Sequence, residues 1–440
     1  MFRFLHAADL HIDSPLGGLA AYEGAPVGQI RTATRRAVEN LVALALGEDR
    51  TPGLSEQREP VDFVLIAGDV YDGAWRDFST GLFFADKLNR LREAGIPVVL
   101  LAGNHDADSV ITRQLALPDN AVTLATDSPQ SHRIDLPDHG VTVHGQGFAT
   151  RAVKADLSAN YPAPDAGRFN VGLLHTSATG SEQHEPYAPC KPSELAAKGY
   201  DYWALGHIHT PWDLHDPADP HAAPIVFPGN TQGRHARELG PRGCRLVTVQ
   251  DDGRVSSEFR PLDVVRWDKV EVNVAELVAG GEDSPDDFLR AAAEGLEAAV
   301  GNAREDRDRL LAVRVEFVGT TPADATLRAD PHGLEYDVKN VANRFGGVWV
   351  EKVKISTRAP EAGARDGDDG PLGVLAEVLA EARDDPEALA ALAETALKDL
   401  RSSLRSNLSG REGPDLTDPE RLKSLLADAG KLARDRLTAG

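Results

Sequence analysis

Residues 61–72 read VDFVLIAGDVYD. The apolar run from Val61 to Ala67 has the composition and length of a buried strand, and it breaks at Gly68 to deliver Asp69 and Asp72 directly behind it. The same arrangement recurs outward along the chain. Phe2 to Ala8 ends at Asp9-Leu10-His11, Pro97 to Ala102 at Gly103-Asn104-His105-Asp106, and Val171 to Leu174 at His175. A further apolar run ends at Gly206-His207-Ile208-His209. Thr32 to Leu46 and Thr80 to Ala94 carry apolar residues at helical spacing, and Val122 to Leu124, Val141 to Val143 and Ile225 to Phe227 add strands. Strands alternating with helices predict an α/β fold of layered sheets flanked by helices. Such sheets take their ligands at the carboxyl ends of the strands.

The five segments carry the chemistry. Singly they are weak, since Asp-x-His pairs arise by chance and Gly-Asp is usually a turn. Together, each at a strand end, they describe a pair of divalent cations sharing one carboxylate, with imidazole, amide and carboxylate groups in the remaining positions. Glycine beside the ligands lets the backbone turn sharply enough to aim the next side chain inward.

In this order the motifs D-x-H, G-D-x-x-D, G-N-H-D, H and G-H-x-H resemble the calcineurin-like metallophosphoesterase superfamily, with its layered β-sandwich. The resemblance implies that Asp9, His11, Asp69 and His209 hold one metal and that Asp69, Asn104, His175 and His207 hold the other, with Asp69 as the bridge. It implies that His105 is the catalytic histidine facing the scissile phosphate. Asp106 is expected either to accept a hydrogen bond from His105 and orient it, or to be a solvated loop carboxylate. GDVYDGAW lacks the Asp-Arg-Gly of the protein phosphatases, and Tyr71 is a poor match to the tyrosine of the purple acid phosphatases. DLHIDSPL, GDVYD, GNHD, GHIHTP and PGNTQGRHARELGPRGC are instead similar to the SbcD-like repair nucleases, most of all to the YhaO-type family, over roughly the first 260 residues. That implies a metal-dependent DNA exonuclease acting in repair with a coiled-coil, SMC-like ATPase. Mn is the favoured metal, although Zn or Fe suits the same residues. Homodimers are common in this branch. Asp72 stands where better-studied members have a His linked to exonuclease function, which leaves exonuclease versus endonuclease preference open.

The remaining sequence qualifies this reading. A net charge of -22 at pH 7 opposes autonomous gripping of nucleic acid, because phosphate contacts need Lys and Arg. Two cysteines, Cys190 and Cys244, are too few for a disulfide framework. No apolar run is long enough to span a bilayer and no secretion signal is visible, so a cytoplasmic protein without membrane contact is expected. Arg234 and His235, in PGNTQGRH, either touch phosphate or belong to a glycine-turn loop shaping the cleft. His184 and Tyr187 either line the cleft or, as favoured here, lie on a surface loop. The expected domains are 1–262 (phosphoesterase), 263–360 (α+β capping domain), 361–370 (an acidic, Gly-rich linker) and 371–440 (a helical tail for partner binding or self-packing, around Leu389, Leu392 and Leu397). Lys352, Lys354 and Arg358 offer either a basic edge or an ordinary solvent face. Two rival functions stand beside the nuclease: a phosphodiesterase or phosphatase acting on small nucleotides, and a mainly structural subunit of an ATPase complex.

Overall fold

The computed structural model describes residues 1–14, 24–48, 59–72, 77–108, 116–126, 132–178, 187–215, 222–304 and 309–360, with scattered helical positions between 374 and 433. The expected linker, His184, Leu392 and Leu397 lie outside the described residues. The chain divides into two compact units, Met1–Gly319 with Asp330–Thr357, and Thr320–Ala329 with Arg358–Gly440.

In the first unit the strands are β1 (Phe2–Ala7), β2 (Phe63–Ile66), β3 (Val98–Leu100), β4 (Ala121–Thr123), β5 (His132–Leu136), β6 (Val141–Gly145), β7 (Phe169–His175), β8 (Tyr202–Gly206), β9 (Trp212–Asp213), β10 (Ile225–Phe227), β11 (Gly243–Val249) and β12 (Val255–Pro261). They form two six-stranded sheets, ordered β12-β11-β1-β2-β3-β4 and β5-β6-β7-β8-β10-β9. β1 to β4 are mutually parallel, as are β6, β7, β8 and β10.

The two-residue period of a strand sends alternate side chains to opposite faces, and β1 shows what this does. Phe4 joins Phe63, Leu65 and Val99 against Val143, Val171, Leu173 and Tyr202 of the second sheet. Leu5 and Ala7 face the other way, with Val64, Ile66 and Val98, onto helices α1 (Val27–Ala45) and α2 (Phe78–Glu93). Phe4 and Phe63 stack with centroids 4.8 Å apart. Each large side chain buried this way contributes roughly 1.5–3 kcal/mol. The layered α/β sandwich expected from the motifs is the fold observed.

One polar group crosses this core. His6, fully buried, donates from Nε2 to the Leu205 carbonyl (3.0 Å), so its Nδ1 is the acceptor for the Tyr202 hydroxyl (3.0 Å). Burial pushes its pKa down to about 3, so the ring joins the sheets as a neutral group.

The remaining helices are α3 (Asn104–Asp108), α4 (Pro192–Ala197), α5 (Val274–Ala279), α6 (Pro285–Arg304), α7 (Asp324–Ala329) and α8 (Pro331–Ala342). A third sheet, β13 (Val265–Asn273), β14 (Leu310–Thr320) and β15 (Val348–Arg358), runs in that order, with β13 and β14 parallel. Its charges are largely paired: Lys269 with Glu271 and Glu316 at 2.9 Å each, and Arg314 with Glu351 at 3.0 Å. The sheet next to Lys352 and Lys354 is therefore a mixed lattice of charge, not a basic stripe.

In the second unit, α7 and the described tail positions, among them 374–375, 378–380 and 425–430, are helical. Leu389 is buried.

Candidate metal centre

The five motifs converge because their strands are neighbours. β1, β2 and β3 lie side by side and parallel in one sheet, and β7 and β8 do the same in the other. Asp9, Asp69 and Asn104 follow the first three, His175 ends β7, and His207 follows β8. The loops behind β1 and β2 continue as a ladder, with the N–H of Asp9, His11 and Ile12 donating to the carbonyls of Gly68, Asp69 and Val70 at 3.0 Å each. Asp9 (φ 52°), His11 (φ 42°), Asp69 (φ 54°) and His207 (φ 102°) all have left-handed backbones. For non-glycine residues such conformations cost of order 1–3 kcal/mol apiece and are kept where a site over-determines them. Space is just as restricted: a Cβ on Gly103 would stand 2.2 Å from Asp69 Oδ1.

Three groups of ligand-type atoms form among the described residues: Asp9 with His11 and His209, Asp69 with His175 and His207, and His11 with Asp72 and His105. Asp69 Oδ2 lies between the first two, 3.9 Å from His11 Nε2 and 3.5 Å from His175 Nε2. The proton inventory shows what such groups suit. His175 Nδ1 faces the Ala67 carbonyl at 2.9 Å and must donate to it, so the neutral ring carries its lone pair on Nε2. That Nε2 faces Asn104 Oδ1, a second acceptor, at 2.9 Å. His209 Nδ1 similarly faces the Glu238 carboxylate at 2.7 Å, which leaves a lone pair on His209 Nε2, 3.3 Å from His11 Nε2. His175 Nε2 and Asn104 Oδ1, two acceptors that point at one another, lack a cation, and the mixed N/O set fits a borderline divalent metal.

The electrostatics agree. Burial, reinforced by Asp69, raises the Asp9 carboxyl well above the usual range. Burial also lifts Asp69 to about 6, and lowers His175 to about 4 and His11 well below its ordinary value. Ionised carboxylates and neutral imidazoles are what a metal requires, and positive charge at the centre is what would restore the carboxylates to their ionised form.

His105 stands beside this cluster, its ring edge-on to His11 at 5.0 Å. Its Nδ1 pairs with Asp72 Oδ1 at 2.8 Å. Asp106 is not its partner and is not a solvated carboxylate. It is 3% exposed and accepts the backbone N–H groups of Val70 (3.1 Å), Tyr71 (2.9 Å) and Gly103 (3.1 Å). Asp106 lies in the first turn of α3 with its carboxylate turned toward the chain behind β2, while the imidazole of the preceding residue reaches Asp72. The expectation that Asp106 orients His105 is thus corrected: Asp72 does so, and Asp106 pins the loops that carry Asp69 and Asn104.

Comparison with known proteins bears on this geometry. A family model described as calcineurin-like phosphoesterase matches residues 2–211, which contain all five motifs. Over that span the chain carries a calcineurin-like phosphoesterase domain. A second model, the middle domain of metallophosphoesterase YhaO, matches residues 267–358. An uncharacterized metallophosphoesterase YhaO from Bacillus subtilis is 35% identical over 274 residues, 62% of this chain and 63% of that protein, so the shared region is under two thirds of the relative's length. The DNA double-strand break repair protein Mre11 of Methanopyrus kandleri is 26% identical over 460 residues, covering 95% of this chain and 85% of its own. The resemblance of this chain is thus to metallophosphoesterases. Among its described residues no helix is long and apolar enough to cross a membrane.

Around the centre, Arg234 Nη1 lies 3.7 Å from Asp72 Oδ2 and 3.3 Å from Ser14 Oγ, and Ser14 donates to Asp72. His235 is set apart, its side chain 56% exposed and its Nε2 4.0 Å from Glu238. Tyr187 is no surface residue: it is half-buried, with its ring 5.7 Å from that of His207. Asp72 and Glu238 are the two partners that motif reading missed. The G-D-x-x-D spacing already contained Asp72, whereas Glu238 had no spacing signal.

Proposed function

We propose that this phosphoesterase is a two-metal DNA exonuclease acting in repair. The observation that carries the reading is the His105–Asp72 pair set against a convergent cluster of lone pairs. Two divalent cations, Mn by preference with Zn or Fe compatible, would be held by Asp9, His11, Asp69 and His209 and by Asp69, Asn104, His175 and His207. Bound there, they would supply positive charge to the phosphate and make water a stronger nucleophile.

The chain's own residues do the rest. Asp72 fixes His105 with Nδ1–H toward its carboxylate, which directs the opposite nitrogen outward. Burial alone would lower the His105 pKa, but the Asp72 hydrogen bond and the charges of Asp69 and Asp72 outweigh it and raise the pKa. A raised pKa favours the protonated ring, the form that can donate to the departing oxygen. Arg234 places a guanidinium against the same carboxylate, where a phosphate oxygen can also be met.

Similarity to a DNA double-strand break repair protein along almost the whole chain supports a nucleic-acid substrate. The net charge of -22 and the paired charges of the third sheet support a partner that holds the DNA. We assign that role to a coiled-coil, SMC-like ATPase docked on the C-terminal helices of a cytoplasmic homodimer.

The test is Mn-dependent cleavage of end-labelled linear duplex and single-stranded DNA, run beside bis-p-nitrophenyl phosphate and cyclic nucleotides, with His105→Ala as the control. Shortening of DNA from its ends by the wild type alone supports the reading. Cleavage of cyclic nucleotides with DNA untouched, even with the ATPase added, replaces it with a small-nucleotide phosphodiesterase. Metal binding with no hydrolysis at all replaces it with a structural subunit.

A further inference from the structure

A buried carboxylate outside the ligand-type groups lies behind the candidate metal centre. Glu238 is 6% exposed, yet both its oxygens are engaged: Oε1 accepts from His209 Nδ1 at 2.7 Å, and Oε2 accepts the backbone N–H of Arg234 at 2.6 Å. The Arg234 guanidinium adds a contact of 3.3 Å to Oε1 and reaches across to Asp72, the partner of His105. We propose that Glu238 is a positioning residue that fixes His209 as a metal ligand. Arg234, spanning Glu238 and Asp72, couples that ligand to the catalytic histidine.

The physical case starts from the imidazole. A neutral histidine offers a lone pair from only one nitrogen, and an acceptor on the other nitrogen selects which one. Glu238 holds the proton on Nδ1, so Nε2 is the ligating atom and the ring cannot turn without breaking a charge-assisted bond. The loop that supplies Glu238 is itself clamped. Gln232 accepts the N–H of Val264 at 2.9 Å and donates to the Val265 carbonyl at 2.6 Å, Trp267 Nε1 donates to the Gly233 carbonyl at 3.0 Å, and Arg242 donates to the His209 carbonyl. Residues 228–242 thus hold both ends of His209, its ring through Glu238 and its backbone through Arg242.

This inference rests on the two-metal reading, and calorimetric Mn titration of the full chain separates the two. Wild type should bind two Mn ions. Glu238→Ala should weaken one site by about 10–100-fold while the other site holds, with a lowered melting temperature because the Arg234 N–H and His209 Nδ1–H lose their acceptor. Glu238→Gln, which keeps an acceptor, should recover much of the loss. In a double-mutant cycle, Glu238→Gln and Arg234→Gln should change Mn affinity non-additively. Two sites unchanged in Glu238→Ala would overturn the role of Glu238 while leaving the two-metal reading intact. Strictly additive changes would overturn the coupling through Arg234. Wild type that binds no Mn would remove the proposal together with the reading beneath it.

Discussion

His105 and Asp72 form an acid whose strength depends on their pairing. Burial raises the Asp72 carboxyl, but hydrogen bonds from His105 and Ser14 outweigh it and bring the pKa to about 2, so the carboxylate is ionised throughout the working range. The acid must be protonated to act, so activity falls as pH rises through its pKa, and Asp72 holds that fall at higher pH. Asp72→Asn should therefore move the alkaline limb of kcat/KM to lower pH and reduce kcat by roughly 10²-fold, as seen in a pH–rate profile with a small diester. An unmoved limb would remove Asp72 from this role. Asp106→Ala should act differently. Three buried N–H groups would lose their acceptor, at about 1–3 kcal/mol each, and the loss would register in the unfolding midpoint as well as in metal content. Motif order located the seven ligand-type side chains, because each stands directly behind a strand and a strand end has one direction. It did not separate Asp72 from Asp106, because which of two nearby carboxylates meets a ring depends on how α3 turns, and that is set by tertiary packing.

The loops behind the strands are as specialised as the side chains they carry. Gly68, at φ 92°, would bring a Cβ to 2.6 Å from His175 Nδ1, and Gly103 would bring one against Asp69. Gly103→Ala should cost about 1–3 kcal/mol of stability and abolish tight binding of the second Mn ion, checked by thermal melts and Mn titration of the same preparation. A variant with full stability and two intact sites would show that the loop has more room than these distances allow. Apolar runs read as strands where both faces are covered, as in β2, β3 and β7. β12, whose residues alternate between half-buried and exposed along a sheet edge, carried no such signal, and its sequence VSSEFRP is mostly polar. The helices α1 and α2 were legible from the apolar face each presents to the first sheet.

Between the sheets, His6 ties acid stability to the sandwich as a whole. Its folded pKa is lowered to about 3 against an ordinary 6.5, so the unfolded chain binds a proton there that the folded chain refuses. Stability from this group is complete above pH 6.5 and is lost as pH falls toward 3, with a slope of up to about 1.4 kcal/mol per pH unit. Compared with wild type, His6→Gln should have a shallower loss of unfolding free energy between pH 6 and 4, measured by urea denaturation. Equal slopes would mean that the ring is protonated in the folded protein. No motif marks His6 in the sequence, and its place between two sheets required the sheet order. The convergence of β1–β3 with β7 and β8 on one centre likewise follows from topology, and the account depends on it most. Anomalous diffraction from crystals grown with Mn tests it directly. The prediction is two Mn peaks, one among Asp9, His11 and His209 and one among Asn104, His175 and His207, with Asp69 between them. A single peak, or one seated on Asp72 and His105 instead, would contradict it.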